Sequence, residues 1–234
     1  MRNRKNRIGT WIGIVALMLA SEAGALTAPF TESFDTSVSG WESSANAPLA
    51  FIASGGADGG GYASGSYNYF NYASGFGAGP IVLRASFADT PSGGAFIGDW
   101  IAGAVGTVTA MVRHDAPEAL AFNLRLAQPA NFPGAFFAGS VLVPANVWTQ
   151  VSWSLDPSAP NCTPETISCA AALTNIGTLQ IGTNAPAGLI DDDVAYTIDV
   201  DQVSLSVVPE PGTALLFGLG LGGLAATGRR GPRI

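Results

Sequence analysis

The chain has 234 residues, a formal net charge of −7 and a hydrophobic fraction of 47%. Seven of its ten basic residues lie at the two ends, so residues 26–208 hold three arginines against fifteen acidic residues, a formal charge of −12. Phosphate groups repel so acidic a segment, which argues against nucleic acids and anionic membrane surfaces as partners.

The N-terminus has the three parts of a secretory signal peptide. Four basic residues within positions 2–7 precede an apolar run over 8–20, and Ala23-Gly24-Ala25 forms a small-x-small cleavage site. The prediction is a signal peptide over 1–25, export by the Sec pathway, and removal by signal peptidase to leave a mature chain from Leu26. A retained N-terminal anchor is the alternative.

A glycine- and tyrosine-rich stretch follows at 54–80. Glycine permits backbone conformations closed to other residues, and tyrosine offers a flat apolar face with a polar tip. That composition suits a long loop that displays aromatic side chains, and two interpretations of it are open. The rings form a platform for a sugar ligand, or, as we favour, the stretch is a segment at a sheet edge whose rings cover the sandwich. The candidate ligand-binding residues are Tyr62, Tyr67, Tyr69 and Tyr72.

Apolar and polar residues alternate along most of residues 26–208, as they do in half-buried strands. The alternation is clearest at 120–126 and 149–155. Weaker strand signals lie at 48–53, 81–87, 105–113, 139–143, 176–182 and 195–207. Dense turn residues separate them, and no amphipathic helix is visible. The pattern predicts an all-β passenger domain over 26–208, an antiparallel β-sandwich of jelly-roll type, with an immunoglobulin-like sandwich as the alternative.

Cysteine and histidine content limits the chemistry. Cys162 and Cys169 are close in sequence, and in an oxidising compartment they are expected to form a disulfide, with two free thiols as the alternative. His114, the single histidine, stands beside Asp115 in a predicted turn, where it is expected to be solvated, and no nucleophile elbow is present. We therefore expect no catalytic residue and no enzyme activity, although paired carboxylates leave a glycan hydrolase open.

The two ends of the passenger domain carry a family resemblance. Glu32-Ser33-Phe34-Asp35-Thr36 and the segment 196–205 resemble the first and last strands of carbohydrate-binding-module and galactose-binding-like jelly rolls. That resemblance implies a structural calcium ion held by Asp35, Asp201 and the Ser33 carbonyl, although such modules usually have Glu where this chain has Asp35. The triplet 191–193 is a rival calcium site, since calcium takes oxygen ligands.

The last 26 residues resemble the PEP-CTERM sorting signal of Gram-negative bacteria. Pro209-Glu210-Pro211 precedes an apolar, glycine-rich run over 212–227, and Arg229 and Arg230 follow it. The resemblance implies a tail, 209–234, that inserts transiently in the inner membrane as a single helix and is removed by an exosortase. A helix of sixteen residues spans about 24 Å, somewhat short for a bilayer core of about 30 Å. A permanent C-terminal anchor is the alternative.

Together these features predict an exported protein that is extracellular or surface-bound after processing. The tail resemblance implies an exopolysaccharide producer, so we expect a non-catalytic carbohydrate-binding module associated with exopolysaccharide or a biofilm matrix. A structural matrix protein without a defined ligand and a secreted glycan-active hydrolase are the alternatives.

Overall fold

The computed structural model describes residues 26–70, 81–86 and 90–208, so the predicted signal peptide and the sorting tail lie outside the described residues. Within these three ranges, no helix is both long and apolar enough to cross a bilayer. The strands are β1 (Phe30–Glu32), β2 (Ala50–Ile52), β3 (Tyr62–Asn68), β4 (Ile81–Ser86), β5 (Val105–His114), β6 (Leu120–Ala127), β7 (Gly134–Val143), β8 (Thr149–Ser154), β9 (Cys162–Pro164), β10 (Thr178–Thr183) and β11 (Ala195–Val207). The α-helix α1 spans Cys169–Leu173, and short 3₁₀ turns lie at Pro91–Gly94 and Pro129–Asn131.

The strands form two antiparallel sheets. The first has the order β2-β3-β11-β5-β8, with the short β1 also paired to β11, and the second has the order β4-β10-β6-β7-β9. The first strand of the domain thus lies beside the last, with Phe30 opposite Leu205. The predicted all-β, antiparallel jelly-roll sandwich is confirmed.

The core lies between the sheets and is formed by the alternating residues that the sequence indicates. Leu120, Phe122, Leu124 and Leu126 of β6 are all buried. From the other sheet, Val151 and Trp153 of β8 are buried as well. Each such side chain stabilises the fold by roughly 1.5–3 kcal/mol when it leaves water. Further fully buried large side chains are Phe34, Trp41, Trp100 and Phe137.

Part of the glycine- and tyrosine-rich stretch is a strand rather than a loop. Residues Tyr62–Asn68 form β3, which pairs with β2 on one side and with β11 on the other. Ala63 and Tyr69 face the core, so alternation continues through this stretch even though glycine and serine occupy several positions. Composition therefore masked a strand that belongs to the first sheet.

The predicted disulfide is present. Cys162 and Cys169 are bonded and connect β9, an edge strand of the second sheet, to the start of α1. The hydroxyl of Ser168 caps that helix by accepting a hydrogen bond from the Ala171 N–H. A short local link therefore fixes both elements at one edge of the sandwich.

Arg125 on β6 holds the outside of the second sheet together. Its guanidinium donates to both carboxylate oxygens of Glu165, at 2.6 and 3.0 Å. It also donates to the side-chain oxygens of Asn131 and Gln180, both at 2.8 Å, and to the Asn131 carbonyl. Because all its donors are used within the domain, we assign Arg125 a structural role.

Candidate functional site

An ion pair crosses the outer face of the first sheet. Asp199 of β11 lies opposite Ser64 of β3 on one side and Arg113 of β5 on the other. Arg113 donates from Nη2 and Nε to Asp199 Oδ2 at 2.7 and 2.9 Å. Burial alone would lower the pKa of Arg113, but the hydrogen bond and the charge of Asp199 outweigh it, and the net shift is upward. The Arg113 guanidinium is therefore charged at neutral pH.

Two aromatic rings flank this arginine. The Arg113 guanidinium lies 5.0 Å from the ring centre of Tyr62 and 4.5 Å from that of Trp148, within cation–π distance. The rings meet edge to face, with centres 5.4 Å apart. The Trp148 indole N–H donates to the Gly55 carbonyl at 3.0 Å, which fastens the loop before β3 to this face.

A polar cleft of about 330 Å³ opens beside the ion pair. It is lined by Arg113, His114, Asp115, Asn146, Thr197 and Asp199. Asp115 Oδ1 accepts a hydrogen bond from the Thr197 N–H at 2.7 Å, which fixes one wall of the cleft. Side chains that donate and accept hydrogen bonds, next to aromatic rings, suit a hydroxyl-rich ligand.

His114 is buried, where the sequence predicted a solvated turn. It ends β5, is 1% exposed, and its Nε2 lies 2.9 Å from the Val143 carbonyl. Alternation along β5 turns it toward the core, because Arg113 before it faces outward. The imidazole therefore contributes packing and a main-chain hydrogen bond.

The four candidate tyrosines do not form one surface. Tyr62 lies on the outer face with Trp148, whereas Tyr67 is half-buried and contacts Tyr69 edge to face. Tyr69 is fully buried, which corrects its assignment as a ligand-binding residue. Its hydroxyl shares a hydrogen bond of 2.8 Å with Thr183, and burial raises its pKa to about 12. Tyr72 lies outside the described residues.

The fold brings three carboxylates to the loop before β3. Asp201 of β11 is fully buried and accepts hydrogen bonds from the main-chain N–H groups of Ala57, at 2.8 Å, and Gln202, at 2.7 Å. Burial raises the pKa of Asp201, and the nearby charges of Asp58 and Asp35 add to the rise. A β-bulge between Asp201 and Ser204 interrupts the pairing of β11 with β5 at this point. We call Asp35, Asp58 and Asp201 the acidic group.

The other members of the acidic group are held by local hydrogen bonds. The Ser33 hydroxyl donates to Asp35 Oδ2 at 2.6 Å, so Ser33 meets Asp35 through its side chain. The Gly60 N–H donates to Asp58 Oδ1 at 2.8 Å, and this bond is the main cause of the lowered pKa of Asp58. Asp58 is therefore a carboxylate, while Asp201 resists ionisation in the same neighbourhood.

The chemistry of this loop fits a calcium ion. A methyl group built on Gly56 would lie 2.7 Å from Asp201 Oδ2 and 2.7 Å from the Gly61 carbonyl oxygen. One built on Gly60 would lie 2.9 Å from Asp58 Oδ1 and 3.2 Å from Asp35 Oδ1. Carboxylate and carbonyl oxygens, the ligand types that calcium prefers, therefore lie close against glycines, at positions where any side chain would clash with them.

These oxygens are not a preformed metal centre. In the described ranges, no three His, Cys, Asp or Glu side chains are grouped closely enough to hold a metal ion. The rival acidic triplet is engaged elsewhere, since Asp192 accepts from the Tyr196 hydroxyl at 2.9 Å and Asp193 from Asn68 Nδ2 at 2.6 Å. A calcium ion at the acidic group would need main-chain carbonyls among its ligands.

The sequence interpretation missed Trp148, Arg113, Asp199 and Asp58. Trp148 could have been found from the alternation in β8, where Val151 and Trp153 face inward and the residues between them face outward. Continued toward the N-terminus, the outward series includes Trp148. Asp58 stands in a glycine run that reads as a turn. The Arg113–Asp199 pair carries no local signal, since it depends on strands about 86 positions apart.

The sandwich is similar in fold to parts of larger solved enzymes. One comprises the CBM22-1–GH10 modules of the endo-1,4-β-D-xylanase 10B of Clostridium thermocellum with xylohexaose, at 14% identity and a TM-score of 0.46, over 76% of this chain and 28% of that one. Another is an exo-β-agarase, at 11% identity and a TM-score of 0.46, over 76% and 26%. This chain thus spans about a quarter of their length. No curated protein matches its sequence.

The C-terminal resemblance is confirmed by a family match. Residues 207–230 match the PEP-CTERM protein-sorting motif, and the match begins within the last two described residues, Val207 and Val208. The motif implies an exosortase as processing partner. The chain therefore carries a PEP-CTERM sorting motif, and this motif indicates secreted, exosortase-processed surface proteins of Gram-negative bacteria.

Proposed function

We propose that residues 26–208 form a non-catalytic carbohydrate-binding module, which the sorted protein presents to exopolysaccharide in a biofilm matrix. The observation that carries this proposal is the arrangement on the outer face of the first sheet. There the half-buried rings of Tyr62 and Trp148 adjoin a polar cleft that contains charged and neutral hydrogen-bonding groups. Sugars present apolar C–H faces together with hydroxyl groups, so a polysaccharide matches both halves of this surface.

The ring geometry defines how a sugar would bind. Arg113 lies against both rings, so Tyr62 and Trp148 do not offer a wide open stacking plane. The aromatic pair therefore contacts the edge of a sugar ring. The hydroxyl groups of that sugar extend toward Asp115, Asn146 and Thr197 in the cleft. A site of this kind selects by hydroxyl position, because each misplaced hydroxyl leaves a polar group without a partner.

The chemistry of the cleft supports a non-catalytic role. The Asp199 carboxylate is held by Arg113, and Asp115 is held by a main-chain N–H. Glycoside hydrolysis needs one carboxyl group that is protonated and one that is free to act on the opposite face of the bond. We infer that these two acids position ligand instead. Release of reducing ends from the producer's polysaccharide would favour the hydrolase alternative.

We also propose that calcium is a structural cofactor of the module. The acidic group would supply carboxylate oxygens, and the carbonyls of Gly60 and Gly61 would be further ligands; binding would draw the three carboxylates closer together than they lie without the ion. The ion would neutralise the charges that raise the pKa of Asp201 and would tie the end of β1 to β11. It would thereby fix the loop that Trp148 holds through Gly55.

The binding proposal is tested with the mature domain and the polysaccharide of the producing organism. Affinity electrophoresis or calorimetry should detect binding by the wild type, and Trp148→Ala should weaken it at least tenfold. Phe132→Ala is the matched control, because Phe132 is an aromatic residue that is 57% exposed and lies before β7 of the second sheet. Equal binding by wild type and Trp148→Ala would refute this site, and absence of binding by the wild type would favour the structural matrix protein.

A further inference from the structure

Both ends of the described domain leave the sandwich at the same segment, residues 95–106. At the N-terminal end, the Leu26 side chain lies against Gly98 and Gly103, and the Thr27 N–H donates to the Ala95 carbonyl at 3.1 Å. At the C-terminal end, the Val208 N–H donates to the Ala104 carbonyl at 2.8 Å. The fold is therefore hydrogen-bonded up to the residue that precedes Pro209.

An apolar hollow of about 310 Å³ lies at this end of the sandwich. Its lining includes Trp100, Ile101, Ala104, Leu155, Pro157 and Val208, and we call it the terminal hollow. Ile101 is 47% exposed and Val208 is 58% exposed, so two aliphatic side chains meet solvent at its wall. Val208 belongs both to the hollow and to the matched sorting motif.

Chain geometry places any processing enzyme against this surface. Three residues, Pro209 to Pro211, separate Val208 from the apolar run that begins at Gly212, and three extended residues span at most about 10 Å. An enzyme that binds the Pro-Glu-Pro segment must therefore lie within about 10 Å of Val208. No flexible linker separates the motif from the folded domain, because Val208 is itself hydrogen-bonded.

We propose that the terminal hollow is a docking site for the exosortase, which recognises the folded end of the domain together with the sorting motif. The hollow would accept an apolar side chain that protrudes from the enzyme beside its active site. The carboxylate of Asp156, which also lines the hollow, favours a basic residue next to that side chain. Recognition then requires a folded passenger as well as the motif.

A protein partner fits the hollow better than a lipid surface does. The hollow is concave, so it accepts a protruding side chain, whereas a bilayer offers a broad and deformable face. The domain also carries a formal charge of −12, which opposes approach to anionic lipid headgroups.

The test measures the rate of tail removal from the full-length precursor in a host that contains the matching exosortase, by pulse-chase and intact mass. Ile101→Glu should slow processing about tenfold, or about 1.4 kcal/mol, because a charged side chain replaces an aliphatic one that docking would bury. Leu142→Glu is the control, since Leu142 is an aliphatic residue of β7 that is 67% exposed and lies in the other sheet. Melting temperatures of the mature domains should be alike.

A second precursor distinguishes docking at the terminal hollow from steric hindrance of the enzyme by the folded domain. Six Gly and Ser residues inserted between Val208 and Pro209 leave the motif intact but move it away from the hollow. Docking predicts slower processing of this precursor and no further effect of Ile101→Glu within it. Faster or unchanged processing of the insertion, or normal processing of Ile101→Glu, would overturn the proposal. Ile101-dependent binding of the tail-less domain to vesicles of mixed zwitterionic and anionic lipids would overturn it in favour of lipid.

Discussion

Calcium should stabilise the mature domain, and the acidic group should be the reason. An ion that binds only the folded state contributes about 2.7 kcal/mol at a hundredfold excess over its Kd. For a domain of 183 residues, each kcal/mol shifts the melting temperature by roughly 2–4 °C. Saturating calcium should therefore raise the melting temperature of EDTA-treated protein by roughly 5–10 °C, measured by calorimetry or circular dichroism.

The variants Asp35→Asn and Asp58→Asn should each abolish most of this calcium effect. Asparagine preserves shape and can still accept the hydrogen bonds that Ser33 and Gly60 donate. In EDTA, Asp35→Asn should melt at or above the wild-type temperature, because one charge that repels Asp201 is removed. Asp58→Asn should melt at or below it, because the lowered pKa of Asp58 means that its charged form is favoured in the folded state. Asp191→Asn is the control, since Asp191 is exposed and outside the acidic group.

The pH dependence of the stability of the domain should change sign when calcium is added. The pKa of Asp201 is raised above 3.8 in the folded state, so the folded protein holds this proton more tightly than the unfolded chain does. That contribution to stability is present below the ordinary pKa and is lost as pH rises through the raised pKa. In EDTA, acidification from pH 7 should therefore raise the contribution of Asp201 to the stability of the domain. When calcium is present, protons compete with the ion for this carboxylate, so acidification should lower the stability. Identical melting curves with and without millimolar calcium, at pH 7 and after acidification, would refute the reasoning.

The remaining predictions concern stability. Replacing Cys162 and Cys169 with serine should cost about 2.5 kcal/mol and lower the melting temperature by roughly 5–10 °C, because the bond closes a short loop between residues seven positions apart; an unchanged melt would contradict this. Arg125→Met should cost about 3 kcal/mol in urea titration, since it leaves the Glu165 carboxylate without its partner; a Glu165→Gln change in the same background should restore part of the loss. Tyr69→Phe should cost about 1 kcal/mol through its lost hydrogen bond. It should also remove a loss of stability that the wild type shows between about pH 10 and 12, where the unfolded tyrosine ionises and the folded one does not.

The sandwich could be predicted from the sequence because the alternation that indicates each strand lies within a short segment of the chain. Alternation in β6 and β8 places Phe122 and Trp153 in the core without any knowledge of the partner strand. The disulfide is equally local, since Cys162 and Cys169 lie within one short turn of chain. Where glycine and serine dilute the alternation, as in β3, composition misled the prediction toward a loop.

The candidate site depends on contacts that no short window of sequence contains. Arg113 and Asp199 are neighbours because β5 and β11 pair in one particular register, and a shift by one residue would separate them. Asp35 and Asp201 could be expected to approach each other only through the family resemblance. Asp58 joins them because the glycine-rich loop folds back over β11, a path that glycine composition permits but does not specify.

The central position of β11 has a mechanical consequence. The strand leads directly to the sorting motif and is flanked by β5 on one side and by β3 and β1 on the other. Hydrogen bonds between antiparallel strands run perpendicular to the strands, so a pull along β11 loads many of them in shear at once rather than opening them one by one. A surface protein held at its C-terminal side while its ligand drags on the domain would thus transmit tension through the strand that has paired neighbours on both sides, and the module should resist extraction by flow.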